Sequence, residues 1–485
     1  MIHQINFDET EFHPDSVELN VSENRIITRI PELAKLKKLY CSNCPALTEI
    51  SVLENLEFLE CSNCELLTHI PDLKNLSMMF CSSCPSLSQI PVLEKLRKLM
   101  CSGCPSLTEI PVIGNLESLI CSDCPALTQI PLLKNLQSLV CSDCPSITQI
   151  PLLENLQSLD CSDCPALTEI SALKNLTELL CVNCPALTHI PVLEKLTSLN
   201  CSLWPSLTEI PVLENLQSLI CTNCPSLTQI SLSKNLRELY CSSCRSLTHI
   251  PVLEALEILY CTNCPSLTHI SPLKNLVRMD CQNCPALTDI PIMAKAKEVI
   301  CSKCTSLFQI PVLEKLTSLH CNGCSSLTNI PLLKNLKNLF CNNCPSLTHI
   351  PVLENLELLF CTDCPSLTHI PILEKLEILL CKRCTSLIEI PLLENLERLH
   401  CTGCRFLTSI PATEMIVNTG CPCLEGSPDY DPTFVPKIIH LQLWYKKIYR
   451  INLLLKFCKN PSFLEWYYKP GNPGHTIWMR KTNEI

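Results

Sequence analysis

Residues 121–140 read CSDCPALTQIPLLKNLQSLV, and residues 141–160 read CSDCPSITQIPLLENLQSLD, so that the two stretches differ at only four positions. The same pattern, close to C-S-x-C-P-x-L-T-x-I-P-x-L-x-N-L-x-x-L-x, recurs in tandem nineteen times with first cysteines from Cys41 to Cys401. Self-similarity at a fixed period is the sequence signature of repeat architectures, in which similar units stack on one another. The chain is therefore predicted to form one solenoid rather than several independent globular domains.

The repeat also explains an unusual composition. The chain has 485 residues, of which 40 are Cys, 38 are Pro and only 8 are Gly. The first cysteine of the pattern is present in all nineteen copies, and the second follows three residues later in eighteen, the exception being Trp204. These two positions hold 37 of the 40 cysteines. A cysteine content that would indicate a disulfide scaffold in a short secreted chain therefore reflects one pair of positions copied many times.

Composition argues against several other classes of protein. No stretch of about 18 uncharged apolar residues is present, so we predict no transmembrane segment. Residues 1–15, MIHQINFDETEFHPD, carry acidic residues and no apolar signal region, so we predict no secretory leader. Free thiols in such number would scramble in an oxidising environment, which predicts a reducing, cytoplasmic location.

The apolar positions within one coil predict which side chains face the core. In one unit they are Leu116, Leu119, Cys121, Cys124, Leu127, Ile130 and Leu133. The alternation of Leu119 and Cys121 with their neighbours is the period-two signature of a short strand. Pro125 and Pro131 cannot continue a β-ladder, so the return arm is predicted to consist of turns and extended segments without α-helix. The predicted fold is a β-rich repeat solenoid.

The stretch before Cys41 relates the unit to a known family. Residues 16–40 read SVELNVSENRIITRIPELAKLKKLY, with Val21 in the first cysteine position and Asn24 in the second. This pattern resembles the leucine-rich repeat, L-x-x-L-x-L-x-x-N/C-x-L, over residues 16–420. The twenty-residue length and the I-P step are similar to the short repeats of bacterial effectors, and the style also resembles predicted repeat proteins of giant amoeba viruses. The resemblance implies short parallel strands on a concave face, about twenty coils, and a location that includes a host cell.

The paired cysteines favour packing over chemistry. Both occupy places where the same repeat uses Val21 or Asn24, and a free cysteine is a small buried hydrophobe with a weak S–H donor. Neighbouring strands are ~4.8 Å apart, whereas a disulfide needs Cβ atoms within about 3.5–4.5 Å, so disulfides are disfavoured. A metal bound by the C-x-x-C pairs is an alternative. A local form of it is a zinc site formed by Cys401, Cys404, Cys421 and Cys423, although Cys421 also fits the frame as the first cysteine of the next coil.

The position just before the first cysteine is predicted to point into solvent from the concave sheet. Thirteen of its nineteen occupants are apolar or aromatic, which is typical of an interaction surface, although padding of a sheet by large side chains is an alternative. The predicted partner-binding residues are Tyr40, Phe80, Met100, Ile120, Tyr240, Tyr260, Ile300, Phe340, Phe360 and Leu380. Asp123, Asp143 and Asp163 form an acidic row just after the strand, predicted to be a solvated edge.

The two ends of the chain differ from the repeat. Residues 1–15 are predicted to cap the N-terminal end, residues 421–431 to form a linker, and residues 432–485 to form a separate basic, aromatic segment. That segment carries net charge +7 and ten of the chain's 23 aromatic residues. Residues 437–459 predict an apolar and basic helix that caps the solenoid, with contact to a protein partner or a membrane surface as alternatives.

These features favour a protein-interaction scaffold that binds a protein partner, with no catalytic residue, metal or cofactor. A structural rod without a specific partner is the first alternative. The resemblance to bacterial effectors implies a further, disfavoured alternative, a C-terminal ubiquitin ligase domain with a nucleophilic cysteine. Residues 432–485 are too few for such a domain, and Cys458 has no evident acid–base partner. Binding to nucleic acid is disfavoured because residues 1–431 carry net charge −17.

Overall fold

The computed structural model describes residues 12–411, 415–417 and 421, and over these residues the chain is a β-solenoid. One strand per coil joins a 21-stranded parallel sheet, which we call the main sheet. Its strands are β1 Glu18–Asn20, β3 Lys38–Tyr40, β5 Phe58–Glu60, β6 Met78–Phe80, β7 Lys98–Met100, β8 Ser118–Ile120, β9 Ser138–Val140, β11 Ser158–Asp160, β13 Glu178–Leu180, β14 Ser198–Asn200, β16 Ser218–Ile220, β18 Glu238–Tyr240, β20 Ile258–Tyr260, β22 Arg278–Asp280, β23 Glu298–Ile300, β24 Ser318–His320, β25 Asn338–Phe340, β26 Leu358–Phe360, β27 Ile378–Leu380, β28 Arg398–His400 and β29 Met415–Val417.

A second, shorter ladder runs along the return arm. Its two-residue strands pair in parallel between adjacent coils, and isolated bridges continue the same pairing elsewhere. These strands are β2 Arg29–Ile30, β4 Glu49–Ile50, β10 Gln149–Ile150, β12 Glu169–Ile170, β15 Glu209–Ile210, β17 Gln229–Ile230, β19 His249–Ile250 and β21 His269–Ile270. The rest of each coil consists of turns and extended segments, and the described residues contain no helix, as the prolines predicted. Consequently no described helix is long and apolar enough to cross a membrane.

The register of the main sheet follows the sequence period. Ser118 lies opposite Ser138 and Leu119 opposite Leu139, so each residue stacks on its equivalent in the next coil. Because the pairing is parallel and in register, the apolar positions form one continuous core in which all seven inward positions predicted for the coil of Leu119 are buried. The predicted β-rich solenoid of about twenty coils is confirmed.

The last described coil departs from the period. β28 pairs with β29 so that Arg398 lies opposite Met415, which is seventeen residues later instead of twenty. Cys421 is therefore not the first cysteine of the next coil, as the sequence frame predicted. Its thiol donates to the Cys401 carbonyl at 2.9 Å, the bond that second cysteines make throughout the solenoid, so it occupies the second position of a coil shortened by three residues.

The other terminal predictions fall largely outside the described residues. Of the predicted N-terminal cap, only residues 12–15 are described, where Phe12 packs against the core and Asp15 pairs with Lys35 at 2.7 Å. Residues 422–431 of the linker, the segment 432–485, Cys423 and Cys458 lie outside them, and so does the predicted helix at residues 437–459.

Candidate partner-binding surface

The residue before the first cysteine is the third residue of each three-residue strand. The middle residue of the strand points into the core, so its two neighbours project from the opposite face of the main sheet, as in the pattern of β8, where Leu119 is buried between half-buried Ser118 and Ile120. We call the third-residue positions the strand row; it runs from Tyr40 to His400 at one residue per coil.

The strand row is less exposed than predicted. Six of the ten predicted partner-binding residues are half-buried, namely Tyr40, Phe80, Met100, Ile120, Tyr240 and Phe340. The other four retain only 5–8% exposure, namely Tyr260, Ile300, Phe360 and Leu380. The expectation that this row is exposed to solvent therefore holds in part for the first six residues and is wrong for the last four. Contacts between neighbouring coils contribute to this burial, since equivalent side chains stand on strands ~4.8 Å apart.

Aromatic rings stack at the N-terminal end of this face. The Tyr40 and Phe58 ring centroids lie 5.1 Å apart, and those of Phe58 and Phe80 lie 5.5 Å apart. Phe58 belongs to the first position of its strand, so this cluster joins both outward rows of the sheet. Lys98 Nζ lies 5.6 Å from the Phe80 ring centroid, within reach of a cation–π contact. The cluster is an apolar platform with a positive charge at one side.

Two further ring groups lie towards the C-terminal end. Tyr240 and Tyr260 stack face to face, with centroids 5.1 Å apart and planes 4° from parallel. His320 stacks on Phe340 at 4.3 Å, and Phe340 meets Phe360 edge to face at 5.0 Å. Phe360 continues into a small apolar cluster with Leu380 and Val417 on the same face. Since the middle coils carry serine at the first strand position, the aromatic groups are separate patches rather than one uniform stripe.

Burial shifts the pKa of several ionisable residues of the strand row. Burial raises the pKa of Asp280 to about 6, although its Oδ1 accepts hydrogen bonds from Gln282 N and Nε2 at 3.2 and 3.1 Å. Burial lowers the pKa of His320 to about 4, and burial together with the Lys382 charge lowers the pKa of His400 to about 4. Near neutral pH the two histidines are therefore uncharged, whereas Asp280 is mostly ionised and its buried charge is unfavourable.

The thiols form two rows inside the core. All 38 cysteines of the described residues are buried and free, and burial raises the pKa of Cys101 and Cys121 well above the ordinary value. The second cysteine donates to the carbonyl of the first position one coil earlier, as Cys124 Sγ does to Cys101 O at 3.2 Å. Buried, protonated thiols such as those of Cys101 and Cys121 are poor nucleophiles and poor metal ligands.

The cysteine cluster predicted as a zinc site is described only in part. Cys401, Cys404 and Cys421 are buried in the two thiol rows at the C-terminal end, whereas Cys423 lies outside the described residues. Among the residues that the structure does describe, no three His, Cys, Asp or Glu side chains are grouped so as to hold a metal ion. The zinc site thus stays an untested alternative.

Two surface features were not anticipated from the sequence. A polar groove of about 470 Å³ lies before strands β7 to β11, lined by Lys95, Arg97, Asn115, Glu117, Asn135, Gln137, Asn155 and Gln157. The second feature is a line of exposed aliphatic side chains one residue after the I-P step, which we call the aliphatic row. Its large members are Val52, Val92, Val112, Leu132, Leu152, Val192, Val212, Leu232, Val252, Ile292, Val312, Leu332, Val352, Ile372 and Leu392. The recurrence of Val, Leu or Ile at the x position of the P-x-L step was visible in the sequence, but the exposure of this position was not predicted.

Comparison with known proteins finds no match for this chain among protein-family models, curated proteins or solved structures.

Proposed function

We propose that the chain is a leucine-rich-repeat scaffold in a reducing compartment that binds an extended polypeptide across the outward face of its main sheet. The observation that carries the proposal is the distribution of variation between coils. The core positions are nearly constant from coil to coil, whereas the strand row changes through Tyr, Glu, Phe, Met, Ile, Val, Asp, Leu, Asn and His. A surface that varies within an otherwise uniform scaffold is where recognition of a specific partner can be encoded.

The leucine-rich-repeat assignment is supported by the second cysteine position. In the first coil this position holds Asn24, whose side-chain oxygen accepts hydrogen bonds from Ile26 N and Ile27 N. Its cysteine equivalents donate to the carbonyl of the preceding coil instead. Trp204, the one exception among the repeats, also donates its indole N–H to the Cys181 carbonyl. A buried polar ladder at this position matches the N/C site of the leucine-rich-repeat pattern.

The spacing of the aromatic patches indicates the length of the partner. Tyr240 and Phe360 are six coils apart, which is roughly 29 Å at ~4.8 Å per strand. About nine residues of extended chain span that distance. Half-buried rings such as Tyr240 and Phe340 offer flat apolar surface that is already ordered by stacking, so little side-chain entropy is lost on binding. The favoured ligand is an extended segment with apolar side chains.

Selection from a peptide library tests this proposal and defines the preferred ligand sequence. Random twelve-residue peptides displayed on phage would be selected on the immobilised full chain, and we expect enrichment of sequences with spaced apolar residues. A Tyr240→Ser/Phe340→Ser variant should lose at least tenfold in affinity for the selected peptides. The matched control is Val92→Ser/Val112→Ser, which removes exposed apolar side chains from the aliphatic row and should bind as the parent does.

The outcomes separate a scaffold from a rod. Circular dichroism and thermal melting would first establish that both variants remain folded. If no sequence pattern is enriched, or if the two variants bind the selected peptides equally well, the main-sheet face has no binding role. A structural rod would then be the better description.

A further inference from the structure

The aliphatic row forms an uninterrupted apolar line along half of the solenoid. From residue 192 to residue 392, every coil places Val, Leu, Ile or Pro at this position, with Pro272 the only member that is not aliphatic. The ten aliphatic side chains are 50–70% exposed, far more than any large residue of the strand row. Adjacent coils pair in register two and three residues earlier, for example Ile250 with Ile270, so consecutive members of the row stand side by side.

The exposed apolar area approaches that of a stable protein interface. Full burial of one such side chain removes about 60–120 Å² of apolar surface, so ten side chains at this exposure leave on the order of 600 Å² open. A stable interface buries roughly 800 Å² on each partner. Monomeric soluble proteins rarely expose a contiguous apolar patch of more than a few hundred Å². The row and its immediate flank therefore hold enough surface for one interface.

The uniformity of the row indicates what covers it. The strand row differs from coil to coil, but the aliphatic row repeats the same kind of side chain at each strand spacing. Two surfaces that both present one aliphatic side chain per coil can pack against each other over their whole length. A second copy of the chain has such a surface. Self-complementary patches of this kind form isologous contacts in homodimers.

The charges beside the row are compatible with self-association. Each member of the row is followed by one buried residue, and the next two positions, at residues 194–195 through 394–395, hold seven exposed Glu and seven exposed Lys. The glutamates are Glu194, Glu214, Glu254, Glu314, Glu354, Glu374 and Glu394, and the lysines are Lys195, Lys234, Lys274, Lys295, Lys315, Lys334 and Lys375. This flank is neutral within a strongly acidic solenoid, so two copies can approach without the repulsion expected elsewhere on the surface.

We propose that the aliphatic row between Val192 and Leu392 is a homodimer interface that packs against the same row of a second copy. The contact lies on a different part of the coil from the strand row, and the proposal does not depend on the peptide-binding function.

Sedimentation velocity of the full chain tests the proposal directly. The parent protein should sediment as a dimer at micromolar concentration and dissociate on dilution, with association retained in 0.5 M NaCl because the contact is apolar. Ile292→Lys/Val312→Lys/Leu332→Lys should be monomeric over the same range. Charged residues fit this position without loss of the fold, since Glu32 and Asp72 occupy it in two N-terminal coils.

The matched control places the same charges on the other face. Ser218→Lys/Ser318→Lys/Asn338→Lys adds three lysines at the first strand position, which Lys38 and Lys98 occupy in other coils, and this variant should dimerise like the parent. Equal dissociation of both lysine variants would show a general charge effect and overturn the proposal. A parent chain that is monomeric at every concentration would also overturn it, including the case in which residues 432–485 cover the row within one molecule.

Crosslinking adds a positional readout. Ile292 is the midpoint of the run, so it meets Ile292 of the second copy whether the two chains run parallel in register or antiparallel about the centre. A short bismaleimide should therefore convert Ile292→Cys to covalent dimers, with the parent protein as the control for Cys423 and Cys458. Crosslinking of Val92→Cys would occur only in the parallel arrangement. If Ile292→Cys does not crosslink above the level of the parent, the aliphatic row does not pack against the same row of a second copy.

Discussion

The second cysteine of each coil is a hydrogen-bond donor as well as a packing residue. From Cys44 to Cys404 the thiol, or the indole of Trp204, donates to the carbonyl of the first position in the preceding coil, with thiol distances of 3.0–3.3 Å. The first cysteine contributes mainly packing, as its replacement by Val21 indicates. The two sulfur rows are therefore chemically distinct although they look alike in sequence, because an unpaired buried carbonyl is unfavourable.

A pair of alanine substitutions separates these two roles. Cys121→Ala and Cys124→Ala each remove one sulfur atom from a fully buried site. Only Cys124→Ala leaves the Cys101 carbonyl without its donor. We expect Cys124→Ala to lower the free energy of unfolding by about 1–3 kcal/mol more than Cys121→Ala does. Denaturant titration under reducing conditions measures the difference. Cys124→Ser, which retains a donor, should recover part of the loss, and equal losses for the two alanine variants would contradict the donor role.

In each coil, the third residue after the main-sheet strand adopts a left-handed backbone conformation, and the chain turns there. The residue two places after the first-cysteine position has φ between 52° and 77° in every coil from Glu23 to Gly403. Asn, Asp or Gly occupies fourteen of these twenty positions, the residues that tolerate this conformation best. The acidic row of Asp123, Asp143 and Asp163 belongs to this series, so turn geometry explains it without a binding role.

Leu203 is the least suitable occupant of this turn. Its φ is 64° and its side chain is 41% exposed, so little packing is lost when it is replaced. Leu203→Asn should raise the free energy of unfolding by about 1 kcal/mol because it relieves left-handed strain. Thermal or denaturant unfolding measures the change. The reverse substitution, Asn223→Leu in the next coil, is the matched control and should destabilise by a similar amount; no change in either variant would show that the turn sets no preference.

The coil was predictable from the sequence because its period is strict. Alternation around Leu119 located the strand, and the prolines predicted a return arm without helix; both are confirmed. The exposure of the strand row was not predictable from one coil, because contacts between coils contribute to it: Tyr260 stacks on Tyr240, and Phe360 packs against Phe340 and Leu380. The shortened last coil was not predicted, because Cys421 lies twenty residues after Cys401 as the period requires. The pairing of β28 with β29, by contrast, is offset by seventeen residues. Whether the ten predicted residues bind a partner stays a prediction.

At the scale of the whole molecule, the main-sheet face contains groups whose titration affects stability in opposite directions. The pKa of Asp280 is raised from 3.8 to about 6, so the folded chain binds its proton more readily than the unfolded chain does. This residue therefore adds stability as the pH falls from about 7 to about 4. The pKa of His320 is lowered from 6.5 to about 4, so its protonation favours the unfolded chain and removes stability over a similar range. Individual substitutions separate the two effects.

Asp280→Asn should stabilise the solenoid at neutral pH but not in acid. The asparagine keeps the oxygen that accepts from Gln282 N and removes the buried charge, so at pH 7 we expect the free energy of unfolding to rise by about 2–3 kcal/mol. Because the parent carboxyl becomes neutral in the folded chain as the pH falls, this advantage should disappear between pH 6 and pH 4. Denaturant unfolding at several pH values measures it. His320→Gln is the opposite control and should gain stability over the parent only as the pH falls below about 6.5; a pH-independent effect of Asp280→Asn would show that its carboxyl is not desolvated.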